Sequence, residues 1–285
     1  MESAKGSLPQ SDNVRFGVLW LPALGVAARH YKQFSEALSA RGVAFECVEW
    51  RGTGASPQRA DRRQDWGYRE LLLDSAEALG SAQSRNPDRV WLLGGHSMGG
   101  QLAALLASIA GTGDFGRALR PHGLILVATG LPYWRLYSGY MRWGVRAFAT
   151  ILGALTAVIG HFPGRALRFA GREARGVMRD WRHSAIFGSY AARGVQLDLD
   201  AALRGLTIPV CAISLQQDSL APITSMEGLL AKMPRAIASR TLLGLRELRT
   251  TADHFGWLKK PDAIVETIAA WTSSLGSRST HPGAG

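Results

Sequence analysis

The sequence predicts an α/β fold, a mostly parallel sheet flanked by helices, and three observations carry that expectation. Short apolar runs alternate with helical patterns along most of the chain, as they do in βα units. One of these runs, Arg89-Val90-Trp91-Leu92-Leu93, leads straight into the glycine-rich turn Gly94-Gly95-His96-Ser97-Met98-Gly99-Gly100 and then into a small-residue helix pattern. The alternation breaks once, over a long helix-like and arginine-rich stretch at 131–205. With 285 residues, 46% hydrophobic and 19% charged, the chain has material for a sizeable core and lacks the composition of a disordered protein.

The elements follow in order. Residues 14–21 read as a first strand and 29–41 as a helix, then 44–50 as a strand that ends in the turn-rich Arg51-Gly52-Thr53-Gly54-Ala55-Ser56. A helix over 65–84 carries Leu71, Leu72, Ala76 and Leu79 near helical spacing. After the strand at 88–93 and the glycine turn, 98–110 forms a helix that buries Leu102, Leu105, Leu106 and Ile109, and 123–129 forms the next strand. The stretch 131–205 shows no convincing strand. Strands resume at 208–215 and 239–245, with helices at 223–233 and 262–274. The expected organisation is a core over 14–130 and 206–275, a helical arginine-rich cap over 131–205, and flexible termini at 1–13 and 276–285. A cap inserted there sits over the carboxyl ends of the strands, the edge where α/β folds place their sites.

Composition narrows the functional classes. Net charge is +11, and between Gly130 and Gln196 ten arginines face only two acids, Glu173 and Asp180. No nucleic-acid module is recognisable, so no nucleic-acid partner is expected. The start is polar and lacks the layout of a secretory signal, and no uncharged apolar run reaches a spanning length, the longest being 147–160. Cys47 and Cys211 lie in strand-like runs and read as buried free thiols of a reducing, cytoplasmic compartment.

The Gly95-His96-Ser97-Met98-Gly99 run is a G-x-S-x-G nucleophile elbow in the strand–turn–helix context that motif needs. Glycines two positions either side of the serine relieve crowding in a sharp turn, which holds the hydroxyl out at the sheet edge. The partners of such a serine follow in the order acid, then histidine. Asp218 stands just past a strand end in Gln216-Gln217-Asp218-Ser219, and His254 precedes the last helix in Ala252-Asp253-His254-Phe255-Gly256. In that arrangement His254 takes the Ser97 proton as Oγ attacks an acyl carbonyl, and Asp218 fixes the imidazole tautomer. An oxyanion hole needs two backbone N–H groups. Met98 supplies one, and Leu24 of the loop after the first strand supplies the other, with Ala23 and Gly25 as the alternatives if the loop register differs.

At these residues the chain resembles proteins of the α/β-hydrolase fold. Pro22-Ala23-Leu24-Gly25-Val26, the 51–56 turn, Asp65-Trp66-Gly67-Tyr68 and Gly95–Gln101 carry the likeness. Leu131-Pro132-Tyr133-Trp134, Asp180-Trp181-Arg182 and Asp253-His254-Phe255-Gly256 extend it, so that it covers about 14–271. More narrowly, the chain is similar to a bacterial group of predicted hydrolases related to serine aminopeptidase-type and monoglyceride-lipase-type enzymes. The resemblance implies a Ser97–Asp218–His254 hydrolase with its cap inserted after the sixth-strand position. Two departures stand out: Glu49 replaces the Asp common before the Arg-Gly-x-Gly turn, and the leading antiparallel hairpin is missing, which leaves an edge that a second copy of the chain could cover.

His96 is expected to point into the fold in a structural role, and His161 and His183 lack metal-ligand spacing, so neither metal nor cofactor is expected. Tyr133, Trp134 and Tyr137 are candidate acyl-pocket residues, with packing of the cap as the alternative. The arginines read mostly as a solvated face, with an acidic carrier protein or an anionic membrane surface as candidate partners. The leading expectation is a hydrolase that cleaves a carboxylic ester of small to medium apolar acyl substrates through an acyl-enzyme on Ser97. The alternatives are a thioesterase or acyltransferase acting on an anionic or carrier-linked acyl group, and a non-catalytic receptor built on the same fold.

Overall fold

The computed structural model describes residues 15–116, 119–164 and 171–278. Of the flexible termini expected at 1–13 and 276–285, residues 1–13 and 279–285 lie outside the described residues, as do Arg165 and Arg168 of the basic stretch. Six parallel strands form the main sheet: β1 (Arg15–Leu21), β2 (Ala44–Cys47), β3 (Arg89–His96), β4 (Leu124–Val127), β7 (Pro209–Leu215) and β8 (Ile237–Leu243), in the order β2-β1-β3-β4-β7-β8. Among the described residues no antiparallel strand joins this sheet. Both faces of its four inner strands are covered, which is why those strands read as continuous apolar runs.

Along β1 and β3 the side chains alternate between two cores. Leu19, Leu21, Trp91 and Leu93 face α2 (Tyr68–Arg85), α3 (Met98–Ile109), α6 (Leu199–Gly205) and α7 (Ile223–Leu230). Phe16, Val18, Trp20, Val90 and Leu92 face α1 (Lys32–Ser39) and α9 (Asp262–Arg278). The chain leaves β1 toward one edge of the sheet and leaves β3 toward the other. The loops after these two neighbours therefore part at a topological switch point, where the carboxyl edge opens into a crevice.

Between β4 and β7 runs the insertion. It holds α4 (Gly139–Ile159), a short antiparallel hairpin of β5 (His161–Pro163) and β6 (Arg172–Ala174), and α5 (Arg175–Phe187). The hairpin corrects the expectation of a strand-free insertion: three-residue strands carry no readable alternation. Leu152, Phe162 and Met178 form a small core of its own. α6, placed with the insertion in the sequence, packs on α3 through Leu199 and Leu203 in the main core.

Other boundaries shift for local reasons. The helix expected at 29–41 splits into a 3-10 turn, Ala28–Tyr31, and α1. β2 stops at Cys47, not Trp50, because Glu49 draws the chain into a turn: its Oε1 accepts from Ala28 N–H (3.1 Å) and Thr53 Oγ1 (3.1 Å). Being at the edge, Cys47 is half-buried, whereas Cys211 in β7 is fully buried and its thiol is pushed up to about 12 by that burial. The last helix runs four residues past its expected end, through Gly276 to Arg278.

Candidate active site

Ser97 sits between β3 and α3 with φ +56°, ψ −124°, a left-handed backbone conformation that non-glycine residues rarely adopt. The strain is held by close packing. A Cβ on Gly99 would overlap the Leu21 carbonyl of β1, and one on Gly95 would overlap the Gly99 backbone. Glycine at these two positions lets strand and helix approach closely enough to fix the turn. α3 begins at Met98, so the unpaired N–H groups of its first turn and the positive end of its dipole lie at Ser97.

Asp218 follows β7 and is buried. Its Oδ1 accepts from Leu220 N–H (2.9 Å) and Ala221 N–H (2.8 Å), and its Oδ2 is 2.8 Å from His254 Nδ1. A carboxylate only accepts, so Nδ1 carries the proton and Nε2 of the neutral ring is left as the basic nitrogen. His254 and Ser97 line one cavity, and among the described residues Ser97 Oγ has no hydrogen-bond partner.

His96 is fully buried beneath the site and couples two of its walls. Its Nε2 lies 2.9 Å from the His254 carbonyl, which can only accept, so Nε2–H donates and Nδ1 is bare. Tyr31 Oη, 3.0 Å away, then donates to Nδ1, and Ala23 N–H donates to Tyr31 Oη at 2.9 Å. Burial holds His96 well below the usual histidine range, with the neighbouring His254 adding to the effect, and pushes the Tyr31 phenol up. This chain of bonds occupies the Ala23 N–H. Leu24 and Met98, both at the cavity, make no backbone hydrogen bond through N–H among the described residues. Of the alternatives in that loop, Ala23 is thereby removed.

The cavity has a volume of about 550 Å³, in the range of small-molecule pockets. Of the three aromatic candidates only Tyr137 lines it, its Oη donating to Leu220 O at 2.9 Å. Trp134 is buried instead under the guanidinium groups of Arg135, Arg142 and Arg146, and Tyr133 packs edge-on to Trp134 and over Gly188. The wall that sequence reasoning missed comes from Met141, Val145 and Phe148 of α4, with Phe162 and Trp181 beyond. The i, i+4, i+7 spacing of the first three was the available signal. Gln101, one helical turn past Ser97, adds a carboxamide whose Oε1 has no partner among the described residues. No acidic side chain lines the cavity, and no group of three His, Cys, Asp or Glu gathers among the described residues.

Two segments far apart in sequence fasten the insertion to the core. Asp180 Oδ2 accepts from Tyr68 N–H at the start of α2 (2.9 Å), and Asp65 Oδ1 accepts from Gly176 N–H (2.8 Å). Asp180 is buried, pairs with Arg179 at 2.9 Å, and has its carboxyl raised by burial.

Residues 13–175 match the model of the hydrolase family described as serine aminopeptidase, S33. A monoacylglycerol lipase from Paleococcus ferrophilus superposes with TM-score 0.56 at 17% identity, covering 90% of this chain and 94% of its own. RedJ, a thioesterase of the prodiginine pathway in Streptomyces coelicolor, superposes with TM-score 0.53 at 20% identity, covering 95% and 90%. An extracellular α/β-hydrolase from a Paenibacillus species gives TM-score 0.57 at 11% identity, covering 90% and 98%. At such identities the likeness shows the α/β-hydrolase fold. No curated protein sequence matches the chain significantly.

Proposed function

The chain belongs to the serine aminopeptidase S33 family of α/β-hydrolases, and on that footing we propose that it is a serine hydrolase cleaving a carboxylic ester of small to medium apolar acyl groups. The observation that supports this reading is convergence: Ser97, the His254–Asp218 pair and two unengaged backbone N–H groups meet at one cavity walled mainly by apolar side chains. In this reading His254 Nε2 removes the Ser97 proton as Oγ adds to the acyl carbon, and Met98 and Leu24 N–H groups receive the oxyanion. The C–O bond to the alcohol then breaks as His254 returns the proton to the leaving oxygen. Water repeats the sequence in reverse roles, releasing the acid and restoring Ser97. The insertion acts as the cap that shapes the acyl site.

An aminopeptidase reading needs an acidic receptor for a free amine, and among the described residues the cavity wall has none. The second reading, a thioesterase or acyltransferase, is favoured by charge: no acid occurs between Gly130 and Arg172, which suits an acyl group presented on an anionic carrier. A fluorophosphonate probe tests the common core of both. The parent is expected to be labelled and Ser97→Ala not, with ester turnover of the variant lower by at least about a thousandfold. An unlabelled parent would overturn catalysis and leave a receptor on a hydrolase fold. Competing alcohol and thiol acceptors then separate hydrolysis from transfer.

A further inference from the structure

α4 is the one helix among the described residues long and apolar enough to cross a membrane, yet only 17% of its most apolar window is buried. Three of its residues, Ala149, Leu152 and Thr156, lock it into the insertion, and Met141, Val145 and Phe148 line the cavity. A third face is left over. Tyr140 (82% exposed), Trp143 (59%), Ile151 (63%) and Val158 (69%), joined by Ala147 and Ala154, form a stripe at spacings of three and four down the helix. A globular helix turns such a stripe to the core; this one turns it to solvent.

The surroundings say what covers it. α4 carries no acid, and Arg135, Arg142 and Arg146 cluster on Trp134 and Trp143 at its N-terminal end. Stacking on the rings holds the guanidinium groups beside the stripe. Two copies of the chain meeting here would bring together two helices that carry arginines and no acid, so neither would offer the other a carboxylate, and a nucleic acid offers nothing to the apolar side chains. An apolar stripe with aromatic residues and flanking arginines fits the interface of a bilayer that bears negative headgroups. Spanning is excluded by the other two faces, which are engaged with the fold.

We propose that α4 docks the protein on an anionic lipid bilayer, lying in the interface with the Tyr140–Val158 stripe inserted and the arginines on the headgroups. The helix that meets the lipid is then also a wall of the cavity, so apolar ligands that partition into the bilayer have a short path in. Docking does not depend on hydrolysis, and Ser97→Ala is expected to bind membranes like the parent.

Co-sedimentation of the full chain tests this, using vesicles of phosphatidylcholine with about one third phosphatidylglycerol, pure phosphatidylcholine vesicles, and no vesicles. The parent is expected to bind the anionic vesicles at least about tenfold more tightly than the neutral ones, and to weaken at high salt. Ile151→Glu/Val158→Glu should lose about tenfold or more, while Ile237→Glu, as exposed but on the far sheet edge, binds unchanged. Arg142→Gln/Arg146→Gln should also weaken binding, which keeps the test independent of how one double variant folds. A parent that stays in the supernatant overturns the proposal. So does a stripe variant that melts and binds like the parent, since charge alone would then suffice. A vesicle-free dimer that the stripe variant dissociates would assign the stripe to a second copy instead.

Discussion

His96 shows how much a single buried side chain decides in this molecule. It is fully enclosed, neutral, and hydrogen-bonded on both ring nitrogens, to Tyr31 on one side and the His254 carbonyl on the other. Protonating it in place would put a charge in a low-dielectric site and turn an acceptor of the Tyr31 proton into a donor, so burial depresses its pKa. Unfolded, the imidazole takes up a proton below about pH 6.5, and the native ring does not. Protons therefore favour the unfolded chain: stability is full above about 6.5 and falls as the pH drops below it. His122 and His161 lean the same way, so the effect is a sum, but His96 is the most enclosed of the three. His96→Gln, which offers an amide donor and acceptor without titrating, should lower stability at pH 7.5 yet flatten its pH dependence. Between pH 6.5 and 5.5 the parent's urea-unfolding free energy should drop more steeply than the variant's, by at most about 1.4 kcal/mol per pH unit for one proton. Parallel slopes would mean that the native ring titrates normally.

At the scale of elements, the grip of the insertion on the core rests on α2 and α5. Asp180 of α5 acts as the acceptor for the first turn of α2, a service that N-cap side chains usually provide from within their own helix; here the N-cap residue is Gly67, which has none. Asp180→Asn keeps an oxygen for Tyr68 N–H and removes a charge that burial disfavours; Asp180→Ala leaves both that N–H and Arg179 without their acceptor. The alanine variant should lose about 3 kcal/mol or more and the asparagine about 1 kcal/mol, measured by urea unfolding. Limited proteolysis of the alanine variant should cut first within the insertion, and equal losses in the two variants would show that only the charge mattered. The same elements show what a sequence displays and hides. Ser97, Asp218 and His254 were readable because each sits in a local signature at a strand end, and the parallel sheet brings strand ends together. The meeting of Asp180 with Tyr68 was not readable, because nothing local to either residue specifies a contact 112 positions away. Tyr133 and Trp134 misled for a related reason: an aromatic residue beside a site reads alike whether it faces the cavity or, as Trp134 does, a cluster of arginines. The Met141, Val145 and Phe148 wall was written in helical spacing, but two further stripes on the same helix competed for attention.

For the molecule as a whole, the two large cores and the small one imply unequal stability. The sheet is packed on both faces, and each residue of the candidate site hangs from a different loop at its carboxyl edge, so Ser97 geometry persists as long as the sheet does. The insertion has a core of its own of only Leu152, Phe162 and Met178, worth about 1.5–3 kcal/mol each by burial, and is tied to the main core by Ala174, Val177 and a few hydrogen bonds at its seams. Against the ordering entropy of its own helices that is a thin margin, and segments of this kind open before the global transition. Urea should therefore separate two properties of the candidate site. Turnover of an ester with a medium-length apolar acyl chain, on the proposed function, needs the α4 wall and should disappear at lower urea. Labelling of Ser97 by a small fluorophosphonate needs only the elbow and its partners, and should persist until far-UV circular dichroism reports loss of the sheet. If turnover, labelling and dichroism all fail at one urea concentration, the insertion is cooperative with the sheet and the small core is stronger than its three buried side chains suggest. If labelling fails first, the strained turn at Ser97 is held by the insertion and not by Gly95, Gly99 and the strand beneath.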